Sequence, residues 1–155
     1  MKGCVAFLCL LVTCAVLVSG CGMLMKEPTI EAKSVALESF DLSRIGLLVT
    51  LEIENPNPVG MSFTSINFDV YYQAGNELVF ISHGELGDVE IQPGSNEVTI
   101  PVTITTSALP GAVLGALTRG EITLLIKGTA SPDFFGLSPK IPFSKVITVP
   151  LSTGG

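Results

Sequence analysis

The sequence predicts an all-β fold: an Ig- or fibronectin type III-like β-sandwich of about seven strands with one short helix, preceded by a signal or anchor segment. Three observations predict it. Ile45, Leu47, Val49, Leu51 and Ile53 are apolar, with Leu48, Thr50, Glu52 and Glu54 between them; this period of two marks a half-buried strand. Similar short runs recur down the chain, separated by Gly, Pro and Asn turn signals. Only Ser107 to Arg119 has helical spacing. Many short strands and one helix argue for a sandwich rather than an α/β fold.

Each element follows in order. Ile30 to Leu42 mixes apolar and charged residues and reads as a first strand with a bulge. Asp41-Leu42-Ser43 reads as a turn, and Arg44 to Glu54 is the clearest strand. It runs into Asn55-Pro56-Asn57-Pro58, where two prolines remove two backbone donors and stop the ladder. Each asparagine precedes a proline, which pushes its backbone to an extended conformation. Its side-chain amide remains able to satisfy nearby backbone groups. The expectation is a rigid exit from the strand. Asn55, Pro56, Asn57 and Pro58 either simply end it or also form part of a partner surface.

Ser65 to Gln73 alternates again, with Ile66, Phe68, Val70 and Tyr72 on one face and Asn67, Asp69, Tyr71 and Gln73 on the other. Ala74-Gly75-Asn76 suits a hairpin turn. Glu77 to Ser82 and Gly84 to Ile91 read as two short strands, with His83 in a turn beside Gly84. After the Pro93-Gly94 turn, Val98, Ile100, Val102 and Ile104 face in, and Pro101 implies an edge strand or a bulge. Ser107 is placed to cap the helix, with Pro110 in its first turn and Gly120 ending it. Leu109, Val113, Ala116 and Leu117 share one face, so the helix should plug one end of the sandwich. Glu121 to Ala130 and Ile141 to Pro150 are the last strands, joined by a loop over Ser131 to Pro139.

The first twenty residues are set apart from the fold. Lys2 gives a positive start, Cys4 to Val18 is an apolar or small-residue run, and Leu17-Val18-Ser19-Gly20-Cys21 looks like a bacterial lipobox. The organisation expected is a lipoprotein signal peptide over 1–20, a tether over 21–29, the sandwich over 30–151 and a tail over 152–155. Cys21 is the lipidation site, its thiol taking the lipid. The competing reading is an uncleaved anchor, since apolar character continues through Met23, Leu24 and Met25 and ~20 apolar residues span a bilayer. Either way the domain is exported and membrane-anchored. The lipobox points to the bacterial envelope, inner or outer membrane unresolved; an archaeal host would use different anchor chemistry.

Cys4, Cys9, Cys14 and Cys21 are all the cysteines, so none is left in the body of the domain for a disulfide, a zinc site or a catalytic thiol. From Cys21 onward there are seven basic and fourteen acidic residues, a formal charge of −7. The basic residues are scattered, which argues against nucleic-acid binding, since phosphate neutralisation needs clustered Lys and Arg.

No catalytic or cofactor motif stands out. His83 is the sole histidine, and a catalytic role would need an orienting carboxylate and a nucleophile around it. Glu85, Asp88 and Glu90 match no calcium-loop spacing and read as a solvated acidic face, so no metal and no cofactor is expected. Phe134 and Phe135 are adjacent in a loop and cannot both easily point inward. They either fold back over the open end of the sandwich or present a ring to a membrane or partner.

A strand ending in Asn55-Pro56-Asn57-Pro58 resembles the folded late embryogenesis abundant proteins, the water-stress and hypersensitive-response (WHy) domain family. Ile66-Asn67-Phe68-Asp69-Val70-Tyr71-Tyr72 is similar to that family's middle strand, and Ile91 to Val102 to a later turn and strand. The resemblance runs from Pro28 to Pro150. It implies a fibronectin type III-like sandwich linked to desiccation and stress tolerance, with no catalytic residues to carry over. The expected function is therefore a non-catalytic, membrane-tethered envelope lipoprotein protecting proteins or membranes under stress, with stressed client proteins as partners. The alternative is an envelope adaptor or carrier holding a protein partner or an apolar ligand.

Overall fold

A computed structural model describes residues 25–117 and 119–150. The leader, Cys21 and the tail lie outside the described residues.

Seven strands form two antiparallel sheets. β1 (Thr29–Phe40), β2 (Arg44–Asn55) and β5 (Gly94–Thr105) make one, in the order β1-β2-β5. The other is ordered β4-β3-β6-β7, from β3 (Met61–Ala74), β4 (Glu77–Ile91), β6 (Glu121–Asp133) and β7 (Ile141–Pro150). This three-plus-four arrangement is the predicted fibronectin type III-like sandwich. β2 and β3 are central, and they carry the cleanest alternation because both their neighbours hold the register.

The core lies between the sheets. Val49, Leu51 and Ile53 of β2 face Phe63, Ile66, Phe68 and Val70 of β3, all essentially inaccessible to water. The period of two breaks where the strands bulge. In β1 the buried set steps from Ala32 to Val35, across a register shift at Lys33. In β3 it steps from Phe63 to Ile66, across a register shift against β6 at Thr64. A bulge adds one residue and so flips the inward parity. Pro101 sits on β5, an edge strand, where its missing N–H costs no ladder bond.

Three expectations are corrected. Glu77 to Ile91 is one strand, not two. Gly84 does not break it, because Gly84 and Gly128 flank Phe68 on the two neighbouring strands. A Cβ at Gly84 would stand 2.2 Å from Phe68 Cζ, and one at Gly128 would stand 2.7 Å from Phe143 Cζ. The aromatic rings lie where those side chains would be and cover the glycines, so the strand continues. Second, β6 runs on to Asp133, because Ser131 and Pro132 still pair with β3. Third, the helical segment is split. A 3-10 turn covers Thr106–Ala108, and α1 covers only Gly111–Leu117. Ser107 falls in the 3-10 turn, and Pro110 precedes α1, its carbonyl accepting from Val113 N at 2.9 Å. Leu109, Val113 and Ala116 are buried, as a plug requires.

Candidate functional site

One end of the sandwich gathers the residues that the sequence singles out. There β2 leads to β3, β4 to β5 and β6 to β7, and the N-terminal segment enters with Thr29 opposite Glu54.

The Asn-Pro exit is built inward. Asn55 and Asn57 are only 1% and 5% exposed, while Pro56 and Pro58 are exposed. Asn55 Oδ1 accepts from Asn57 N at 3.0 Å and from Asn57 Nδ2 at 3.1 Å. Asn55 Nδ2 donates to Val59 O at 2.9 Å. Asn57 reaches across to the N-terminal segment: Lys26 N donates to its Oδ1 at 2.7 Å, and its Nδ2 donates to Lys26 O at 2.8 Å. The pair of opposed bonds copies a β-ladder pair with a side chain. The asparagine amides are spent on backbone groups that the prolines leave without ladder partners, and only Pro56 and Pro58 remain on the surface.

The N-terminal segment so held runs beside the β6–β7 loop. Met25 and Glu27 line an open groove of about 570 Å³ together with Phe134, Phe135, Leu137 and Lys140. The loop is a tight turn: Phe134 N donates to Leu137 O at 2.8 Å, and Leu137 N to Phe134 O at 3.0 Å. Its central residues, Phe135 and Gly136, have φ of 53° and 86°, and Asp133 Oδ1 accepts from Gly136 N at 2.8 Å. Positive φ at both central positions is the hairpin geometry whose twist matches the flanking strands. It sends the two rings apart. Phe134 packs against the core, while Phe135 is 95% exposed. Of the two rings, only Phe134 folds back.

A second cluster sits on the outer face of the four-stranded sheet. His83 is not in a turn; it lies within β4 opposite Asp69, with Nδ1 2.7 Å from Asp69 Oδ1. Tyr71 donates its hydroxyl to Asp69 Oδ2 at 3.2 Å. Partial desolvation, and then the Asp69 charge, hold the Tyr71 hydroxyl above the usual tyrosine range. Lys127 stands opposite Asp69 in the β3–β6 register. The orienting carboxylate for His83 was hidden in sequence, fourteen residues away, because only the β3–β4 register brings the two together. A triad needs a nucleophile on the imidazole as well. Ser82, the adjacent hydroxyl, instead donates to Thr103 O across the sandwich at 2.9 Å. Glu85, Asp88 and Glu90 are strung along β4, and among the described residues no group of three or more His, Cys, Asp or Glu is placed to hold a metal.

Between the sheets, beneath α1, the interior space is a cavity of about 10 Å³ lined by residues such as Ile45, Leu47, Ile104 and Val113. That is roughly the room of one water, too little for a lipid or an apolar ligand.

These features define a class: a β-sandwich module whose N-terminal segment is clamped at one end. A family model described as late embryogenesis abundant protein matches residues 50–147, and the chain belongs to that family. An uncharacterised protein of Methanocaldococcus jannaschii is 30% identical over 124 residues, covering 80% of this chain and 69% of that protein. A second uncharacterised protein of the same organism is 29% identical over 107 residues, which are 69% of this chain and 24% of the longer relative. Among solved structures, a protein provisionally assigned to the late embryogenesis abundant (LEA) proteins has a TM-score of 0.60 at 14% identity, covering 97% of this chain and 86% of that one. A protein from Archaeoglobus fulgidus has a TM-score of 0.56 at 10% identity, covering 79% of this chain and 97% of that one. At such identities the structural likeness shows the fold alone.

Proposed function

We propose that this chain is a non-catalytic, membrane-tethered envelope protein whose domain, of the WHy type within the late embryogenesis abundant family, protects proteins or membranes during water loss or related stress. The observation that carries the reading is the Asn57 clamp on Lys26, because it gives the segment after Cys21 a built point of entry into the domain. Cys21 takes a lipid, or residues 1–25 serve as a permanent apolar anchor. The family membership supports the protective role. Presented at the membrane, a folded, acidic sandwich covers exposed segments of stressed client proteins or keeps surfaces apart as water is lost. Both curated relatives come from an archaeon, which extends the proposal to archaeal envelopes and their own anchor chemistry at the cysteine. The adaptor reading finds a foothold in the groove beside the tether, whereas the cavity beneath α1 holds little more than a water.

Two measurements test the proposal. Intact mass of membrane-extracted protein should give Cys21 to Gly155 plus acyl groups, and the Cys21→Ser variant should lose them; a full-length unmodified mass makes residues 1–25 the anchor instead. Client enzymes dried and rehydrated with the protein should recover more activity than with an inert protein of equal mass. Equal recovery would overturn the protective role.

A further inference from the structure

We infer that the β6–β7 turn is a second membrane contact, with Phe135 and Leu137 inserting into the lipid interface beside the anchor. The inference rests on the membrane-tethered reading above and adds to it an orientation and a lipid-binding surface.

Phe135 stands in two costly states at once. Its φ of 53° places an aromatic residue in the left-handed region, where glycine, asparagine and aspartate are the usual occupants. Its ring is 95% exposed and gains nothing from the core that its neighbour Phe134 packs against. Two residues on, Leu137 is also largely exposed. Strain of this kind persists where the surrounding structure enforces it and tends to mark a working surface. Here the paired backbone bonds between Phe134 and Leu137, with the Asp133 carboxylate on Gly136 N, enforce it. The turn is a preformed tip carrying apolar side chains outward.

The tether identifies what covers that tip. Asn57 holds Lys26, and Met25 and Glu27 line the same groove as Phe135 and Leu137. Met25 lies only four positions beyond Cys21. A fully extended chain spans at most ~3.6 Å per residue, so a lipid on Cys21 holds this end of the domain within about 14 Å of the bilayer. An uncleaved anchor ending at Met25 holds it closer. Phe and Leu side chains form the faces that interfacial membrane-binding elements bury at the headgroup–acyl boundary. A single acyl chain binds only marginally, so a second apolar contact stabilises attachment. Lys26 and Lys140 flank the tip but Glu27 offsets them. The contact is therefore apolar in the main, and zwitterionic lipid suffices.

The chain contains no tryptophan, so Phe135→Trp makes the tip its own reporter. The membrane-extracted variant is reconstituted into phosphatidylcholine vesicles, with and without bromine on the acyl chains. Leu42→Trp serves as the control, since Leu42 is 97% exposed in the β1–β2 turn at the far end of 12-residue strands, about 40 Å away. The expected result is blue-shifted indole emission from the Phe135→Trp variant that falls about twofold or more in brominated vesicles, while the Leu42→Trp signal stays water-like and unquenched. Flotation of both variants with the vesicles, and their loss of flotation when the anchor is removed by proteolysis, reports the tether separately. Variants that float while Phe135→Trp remains water-like overturn the insertion and leave the tether standing. A blue shift without quenching overturns it in favour of protein cover, by the tether, a second copy or a partner. Variants that do not float overturn both readings.

Discussion

Asn57 brackets the backbone of Lys26, accepting from its N–H at 2.7 Å and donating to its carbonyl at 2.8 Å across thirty-one positions of sequence. A buried side chain thus does the work of a strand partner where two prolines have ended the ladder. The same amide donates to Asn55 Oδ1, so the motif and the tether form one hydrogen-bonded unit. Among the described residues, no buried side-chain nitrogen or oxygen is left without a partner.

Asn57→Ala removes these bonds. Lys26 is exposed, so water can reach its backbone, and the loss is that of ordinary hydrogen bonds, about 0.5–1.5 kcal/mol each. Urea unfolding should show that loss, and trypsin should cleave after Lys26 sooner than in the parent protein. Unchanged stability would mean that water replaces the amide at no cost.

The glycines around Phe68 are predicted to be irreplaceable. A Cβ at Gly128 would stand 2.3 Å from the backbone oxygen of Asn67, and one at Gly84 would collide with the buried Phe68 ring. Overpacking of this kind costs about 1–3 kcal/mol. Gly128→Ala should lie at or above the upper end, because backbone gives way less readily than a ring. Thermal unfolding of the two variants, ranked in that order, checks the argument.

Asp41 supplies a pH signature. Its carboxylate accepts from Ser43 N at 2.6 Å and Arg44 N at 2.7 Å, and these bonds, Ser43's first, hold its pKa below the ordinary 3.8. A depressed folded-state pKa stabilises the fold above the unfolded value, and the benefit is lost as pH falls through the folded one. The parent protein should melt higher than Asp41→Asn above about pH 3.8, and the gap should close on further acidification. A gap that persists unchanged through the acid range would show that the charge is irrelevant.

The Asp69 cluster should behave as an exposed surface network. The His83–Asp69 pair is half exposed on both sides, and exposed ion pairs contribute at most ~1 kcal/mol. Asp69→Asn should therefore cost less than that. It should also lower the Tyr71 pKa towards the ordinary 10.0, but not fully, because desolvation is the larger cause of the rise. Ultraviolet titration in a Tyr72→Phe background reads Tyr71 alone, the only other tyrosine being removed. The sign follows for stability: a raised tyrosine pKa favours the fold below pH 10.0 and ceases to as pH rises through the folded value.

Much of the architecture was legible along the chain because its signals are local. Period-two burial in β2 and β3, the Pro93-Gly94 turn and the edge position of Pro101 each depend on a few neighbouring residues. The misreadings share one cause. Gly84 looks like a break until Phe68 of the next strand is seen to cover it. His83 looks solitary until the β3–β4 register sets it against Asp69.

By itself the sequence determined the class of fold and the face that each central strand buries, because backbone sterics and hydrophobic periodicity act within a few residues. The tertiary structure alone decided which of two adjacent phenylalanines is buried, where the strands bulge, and that the Asn-Pro motif clamps the chain that precedes it. Those outcomes depend on groups far apart in sequence, whose hydrogen bonds and steric contacts exist only once the sheets have closed.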